Sequence, residues 1–292
     1  MAKSEQSLLS KKELLEIFIN HRVHSPFPGD WESIFKGLGY EFWALRELEP
    51  TDSFKNIDWK AKAKTGKFFV REFLAESYFN VMLLYDISKS VHFGRKELLQ
   101  AHIAVSLAYS AILSNDGCGL ILFADDIVSY IPPRMGRSHF MEILYAIAQA
   151  EPVCCSATNL SVALNKLIHE VPESLTFILS DFMYPLDFSY SFHHTVHGTN
   201  KHEVKAVQIL EECEIELPAG STGILPLYDY ESGQTVALDL NKWKSYNNTM
   251  SSMRAATRNR LNRAGIDMVT ISPADNFAQK INAFMKRPSS SY

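Results

Sequence analysis

The chain has 292 residues, and 46% of them are hydrophobic, a composition typical of a packed protein. Its 33 Asp and Glu residues outnumber 29 Lys and Arg residues, so the net charge of -4 provides no basic field to favour nucleic acid. No apolar run approaches the ~20 residues that span a bilayer, and the charged start, MAKSEQSLLSKKELLEIF, does not resemble a secretory signal. We therefore predict a cytoplasmic protein with no nucleic-acid partner and no membrane span.

The first 77 residues differ in composition from the rest. After a helical stretch, KKELLEIFINH, they mix aromatic and charged residues without a regular alternation of elements. We predict an N-terminal helix and β-containing appendage over residues 1–77, a main domain over 78–288 and a disordered tail over 289–292. Ion pairs and a core aromatic contact are expected to join the appendage to the main domain, formed by Arg46, Asp58, Trp59 and Arg71.

From about residue 80, strand-like and helix-like segments alternate. The predicted strands are 81–86, 119–124, 127–133, 175–182, 203–210 and 266–271. The predicted helices are 95–115, 138–150, 159–171, 241–264 and 276–287. Strand 127–133 is expected to lie at an edge and to stop at its prolines, and residues 212–240 are expected to form a small β insertion. The alternation predicts an α/β fold with a doubly wound, mostly parallel sheet and helices on both faces.

Two of the predicted strands end in aspartates. VMLLYDISKSVHFG contains Asp86, followed by Ser88 and Ser90 at every second position, and LTFILSDF contains Asp181. Ligands of open α/β sheets bind outside the carboxyl ends of the strands, where strand order reverses. Thr158, in a loop that enters a helix, offers a fifth oxygen.

Each of these motifs alone is more often a turn or a helix cap, but their order along the chain favours a metal site. Carboxylate and hydroxyl oxygens are hard ligands that suit Mg²⁺, or Mn²⁺ and Ca²⁺, and poorly suit Cu or structural Zn. We expect these ligands to face solvent in loops.

A histidine-rich stretch, SFHHTVHGTNKH, raises the alternative of a zinc site. The segment is polar and lacks a matching cysteine pair, which favours a solvated loop. Its histidines are His193, His194, His197 and His202.

In combination, the oxygen ligands resemble a known site, the metal-ion-dependent adhesion site of von Willebrand factor A domains. The matching residues are Asp86, Ser88, Ser90, Thr158 and Asp181.

The preceding segment, GLGYEFWALRELEPTDSFKNIDWKAKAKTGKFFVREF, is similar to the signature of the bacterial domain of unknown function 58 family. It departs from that signature at Thr51, Ser53 and Lys55. The resemblance covers residues 37 to 288 and implies a von Willebrand factor A-like main domain.

The resemblance also implies a function, because such proteins resemble partners of MoxR-type AAA+ ATPases that assist assembly or metal insertion. It implies a non-enzymatic, metal-dependent interaction module that binds an acidic side chain of a partner, the ATPase or its client, through a divalent ion. A metal-dependent hydrolase or phosphoryl-transfer enzyme is the first alternative, but Ser88 stands where a second acid would be needed, and no GxxxxGK[ST] loop is present. A metal-independent scaffold is the second.

Overall fold

The computed structural model describes residues 45–47, 69–71, 80–153, 158–186, 201–228 and 235–286. The chain divides into two compact units, residues 29–78 and the remainder. In the smaller unit, the described residues form an antiparallel pair of short strands, β1 (Leu45–Glu47) and β2 (Phe69–Arg71). The predicted N-terminal helix, the tail and the side-chain contacts of Asp58 and Trp59 lie outside the described residues.

The larger unit is built on a six-stranded sheet. Its chain contains β3 (Asn80–Asp86), β4 (Gly117–Phe123), β5 (Ile127–Arg134), β6 (Glu173–Ser180), β7 (Lys201–Ile209), β8 (Ile224–Tyr228), β9 (Thr235–Asp239) and β10 (Asp267–Ile271). The order across the sheet is β10-β7-β6-β3-β4-β5, and β8 pairs with β9 in a separate antiparallel hairpin. All pairings in the six-stranded sheet are parallel except β4 with β5. Strand order therefore reverses between β3 and β6, whose carboxyl ends are adjacent.

Helices cover both faces of this sheet. They are α1 (Lys96–Leu113), α2 (Arg137–Gln149), α3 (Leu160–Glu170), α4 (Glu212–Ile215), α5 (Trp243–Arg263) and α6 (Phe277–Met285). On one face, Tyr109 of α1 packs against Phe140 of α2 with ring centroids 5.4 Å apart, and His102 of α1 stacks on Phe277 of α6. On the other face, α3 and the end of α5 pack on the sheet.

The core follows the alternation of side chains along the strands. Met82 and Leu84 of β3 join the buried cluster that includes Leu164 of α3 and Leu261 of α5. Successive strand residues point to opposite faces, so the intervening residue Leu83 lies on the face that α1 covers. The predicted doubly wound, mostly parallel sheet is confirmed by its parallel pairings and its strand order, and its central strands β3, β4 and β6 are buried on both faces, as such sheets require.

Three details differ from the sequence-based predictions. Strand β5 continues through Pro132 and Pro133 to Arg134. The register of its pairing with β4 shifts between Ile131 and Arg134, so the two prolines, which have no N–H, are not among the paired positions. The region expected to be a β insertion contains the β8–β9 hairpin but begins with a helical turn, α4. A further short 3-10 helix, unpredicted, spans Lys89–His92.

No helix in the part of the chain that the structure describes has both the length and the apolar character needed to cross a membrane.

Candidate functional site

The first part of the candidate site lies at the end of β3. Asp86 is the last residue of this strand and is fully buried. Its Oδ1 accepts a hydrogen bond from the Ser88 backbone N–H at 2.8 Å, and its Oδ2 accepts one from the Ser180 hydroxyl at 2.6 Å. The Ser88 and Ser90 hydroxyl oxygens are 3.1 Å apart. The structure therefore brings Asp86, Ser88 and Ser90 together, as their spacing predicts.

The second part lies on the neighbouring strand, because Asp181 directly follows the end of β6. The Oδ1 of Asp181 accepts a hydrogen bond from the Met183 backbone N–H at 3.1 Å, and Oδ2 accepts one from Lys96 Nζ at 3.2 Å. The Gln100 side chain donates to the carbonyl oxygens of Asp86 and Leu179 at 3.0 and 2.9 Å, and so ties the two strand ends together. Both aspartates are thus held at the switch point of the sheet.

Thr158 precedes the cap of helix α3. The Asn159 side chain accepts a hydrogen bond from the Ser161 N–H at 3.1 Å and so caps the helix. Thr158 is 5% exposed, and its Oγ1 is buried without a hydrogen-bond partner among the described residues. It lines a cleft of about 300 Å³ together with Asp125 and Tyr184. A buried hydroxyl without a hydrogen-bond partner destabilises the fold unless it binds a ligand or an ion.

The electrostatics of the site are dominated by burial. Loss of solvation and the nearby charge of Asp181 raise the pKa of Asp86 to about 7, against the opposing hydrogen bonds from Ser180 and Ser88. Burial also raises the pKa of the Tyr184 hydroxyl well above its ordinary value, with a further contribution from the charge of Asp86. The negative charges of Asp86 and Asp181 are therefore poorly solvated and repel each other, and a bound cation would reduce this repulsion.

The residues present fit a hard divalent ion. Two carboxylates and the paired serine hydroxyls lie at the strand ends, and the unpartnered Thr158 hydroxyl would complete an all-oxygen donor set. The residues that line the cleft beside Thr158 do not include the other four. Three of the five groups are hydroxyls, and no cluster of three or more His, Cys, Asp or Glu side chains suited to a metal occurs in the described ranges. The expectation that the ligands face solvent is wrong, because Asp86, Ser88 and Asp181 are all fully buried.

Sequence reasoning missed the groups that support these ligands. They are Lys96 and Gln100 on α1, Ser180 on β6, and Glu214 on α4. The i, i+4 spacing of Lys96 and Gln100 on a largely apolar helix was a usable signal, because a helix that is buried on most sides also buries some of its polar residues. Nothing local in the sequence marks Glu214.

The carboxylates of Asp181 and Glu214 keep Lys96 charged. Burial alone would lower the pKa of this ammonium, but the two negative charges outweigh it, and the pKa is raised. Burial raises the pKa of Glu214, and the contact with Lys96 opposes that rise.

His202 does not lie in a solvated loop. It belongs to β7, is 4% exposed, and its Nδ1 is 2.9 Å from the Ser174 hydroxyl. The predicted strand began one residue too late to include it. His193, His194 and His197 lie outside the described residues.

The chain is similar to several known proteins. The chain is 26% identical over 235 residues to the uncharacterized protein Rv1480 of Mycobacterium tuberculosis, covering 78% of this chain and 73% of that protein. The crystal structure of the conserved hypothetical protein BatB from Bacteroides thetaiotaomicron matches 72% of this chain and 100% of its own, with 14% identity and a TM-score of 0.44. The SpRpn10 VWA domain matches 70% of this chain and 95% of its own, with 10% identity and a TM-score of 0.39. At these identities, likeness to a solved structure says nothing about ligand or partner.

The larger unit is an α/β domain with a mostly parallel, doubly wound sheet, and its candidate site lies at the switch point of that sheet. Residues 44–260 match the family described as protein of unknown function DUF58. That match covers more than half of the chain, and the protein belongs to this family.

Proposed function

We propose that this protein is a metal-dependent protein–protein interaction module that binds an acidic side chain of a partner through a divalent ion. The ligands would be Asp86, Ser88, Ser90, Thr158 and Asp181, with Mg²⁺ as the first candidate and Mn²⁺ or Ca²⁺ as substitutes. The observation that supports this most is the Thr158 hydroxyl, buried without a partner beside a cleft. When bound, the ion would supply a Lewis-acidic position open to a carboxylate.

The charge of the cleft supports a partner that depends on the ion. Asp125 lines the cleft, and none of the described lining residues is basic. A carboxylate approaching this cleft without an ion would meet only negative charge and neutral groups, which disfavours binding. With the ion in place, five oxygen ligands leave one position of a six-coordinate ion for the partner.

A MoxR-type AAA+ ATPase, or a client of such an ATPase, is the partner that we propose, with this chain acting as an adaptor or assembly factor and not as an enzyme. The support for that partner is the resemblance of the N-terminal signature and the site motif to the family. Ser88 in place of a second acid supports the absence of catalysis, since an aspartyl nucleophile would need a neighbouring proton donor.

The experiment is a pull-down with the purified MoxR-type ATPase of the same organism, in MgCl₂ and in EDTA, using the wild-type chain and Thr158→Ala. We expect retention in MgCl₂ and its loss with the chelator or the variant. Equal retention in EDTA would reduce the site to a structural role and favour the scaffold alternative. Phosphatase or ATPase turnover that disappears in Asp86→Asn would instead favour the enzyme alternative.

A further inference from the structure

A buried lysine connects the candidate metal site to an acidic segment. Lys96 has a side chain that is 1% exposed, and its Nζ lies 3.2 Å from Asp181 Oδ2 and 2.8 Å from Glu214 Oε1. A buried ammonium is tolerated only while it is paired and hydrogen-bonded. Lys96 therefore uses one oxygen of Asp181, the carboxylate that a divalent ion would also use.

Glu214 is fixed in place from several directions. Its Oε2 accepts a hydrogen bond from the Glu211 N–H at 2.8 Å. The Arg254 guanidinium, on α5, donates to the carbonyl oxygens of Glu214 and Ile215 at 3.2 and 2.6 Å. The Tyr246 hydroxyl, also on α5, donates to the Cys213 carbonyl at 3.0 Å. Glu214 is therefore a fixed acceptor, while the lysine has a flexible four-carbon stem.

We propose that Lys96 competes with the divalent ion for Asp181, and that Glu214 is the acceptor that draws the ammonium away when the ion binds. This inference rests on the proposed function. Two cations cannot share one buried carboxylate at close range without strong repulsion. Lys96 already lies closer to Glu214 than to Asp181, so a small movement of its stem completes the transfer.

The arrangement would also let the fold tolerate its two buried carboxylates both with and without an ion. With no ion bound, the ammonium screens Asp181 and reduces its repulsion of Asp86. With the ion bound, the charges of Lys96 and Glu214 cancel each other, and Asp86 and Asp181 balance the ion. Lys96 and Glu214 are thus positioning residues that set the affinity of the site for its ion.

Three proteins test this inference: the wild-type chain, Glu214→Gln and Lys96→Met. Mg²⁺ and Mn²⁺ binding is measured by calorimetric titration, and the melting temperature is measured with and without each ion. Glu214→Gln keeps the shape of the acceptor but removes its charge, so Lys96 remains on Asp181 and ion affinity should fall about 10- to 100-fold. Lys96→Met removes the competitor, so ion affinity should rise while the metal-free melting temperature falls.

A matched control lies on α3, where Lys166 and Glu170 form an exposed pair at 2.7 Å. Lys166→Met and Glu170→Gln should leave ion affinity unchanged. If Lys96→Met does not fold, Glu214→Gln alone decides, because its lysine keeps a partner in Asp181.

Opposite shifts in the two variants are the signature of competition, since a merely structural role would weaken binding in both. Unchanged affinity in Glu214→Gln, or equal losses in both variants, overturns the inference and leaves the proposed metal site standing. A wild-type chain that binds neither ion overturns the metal site itself.

Discussion

Replacing Thr158 by valine should affect stability differently with and without the metal ion. Valine keeps the shape of threonine but has a methyl group in place of the hydroxyl. The Thr158 hydroxyl is buried without a partner among the described residues. An unsatisfied buried polar group costs about 1–3 kcal/mol. Without metal, Thr158→Val should therefore raise the free energy of unfolding by about that amount. At about 3 °C for each kcal/mol in a domain of this size, the melting temperature should rise by roughly 3 to 9 °C.

Magnesium should reduce this advantage of the variant, and should reverse it where the advantage in EDTA is below about 2.7 kcal/mol. An ion present at a hundred times its dissociation constant stabilises the wild-type fold by about 2.7 kcal/mol. Thr158→Val has one ligand fewer, so it should gain much less from the same ion concentration. Differential scanning calorimetry in EDTA and in saturating MgCl₂ measures both effects on the same samples.

Thr176 provides a matched control. It is fully buried, but its hydroxyl lies 2.8 Å from the Ser174 hydroxyl. Thr176→Val should therefore lower the stability by about 1 kcal/mol both with and without Mg²⁺. A Thr158→Val protein that is less stable than wild type in EDTA, or that gains as much from Mg²⁺, would refute the assignment of this hydroxyl as a ligand.

Three further predictions concern single residues. Asp86→Asn keeps an oxygen that can accept from Ser180 but removes the charge, so the fold should persist while the Mg²⁺-induced shift in melting temperature disappears; a wild-type titration heat in this variant contradicts it. Burial lowers the pKa of His202 in the folded protein. In the unfolded chain the same histidine has a pKa near 6.5, so as the pH falls below about 6.5 the unfolded state is protonated first and the folded protein loses stability. His202→Asn should lose less stability than wild type between about pH 7 and pH 5 in urea denaturation, and an identical pH dependence would argue against this role. Phe177→Ala, at a fully buried position in β6, should cost about 3–5 kcal/mol of unfolding free energy in urea, whereas a cost under about 1 kcal/mol would place the side chain outside the core.

The sheet was predictable because its signals are local. Each buried strand is a short apolar run ended by polar or turn residues, and the predicted strands fall within a few residues of those observed. Asp86 and Asp181 were found for the same reason, since a carboxylate directly after such a run must lie at the end of a strand. Because β3 and β6 run parallel, their carboxyl ends lie at the same edge of the sheet, and so do the two aspartates.

The supporting groups were not predictable, because their partners are distant in the chain. Lys96 meets Asp181 across 85 positions and Glu214 across 118, and no local pattern encodes either meeting. Helix α4 has only four residues, too few for a helical period to show. The sequence predicted a solvated loop at His202 because the residues before it are polar, although β7 begins at Lys201 and contains this histidine.

The edge strand β5 has a consequence for how copies of this protein meet at high concentration. Prolines have no N–H, so Pro132 and Pro133 interrupt the row of donors along the outer rim of the sheet. Strand-by-strand growth between molecules, the first step of many aggregates, needs a continuous row of free backbone groups. The interrupted rim therefore disfavours fusion of the sheet with that of a neighbouring molecule at the β5 edge.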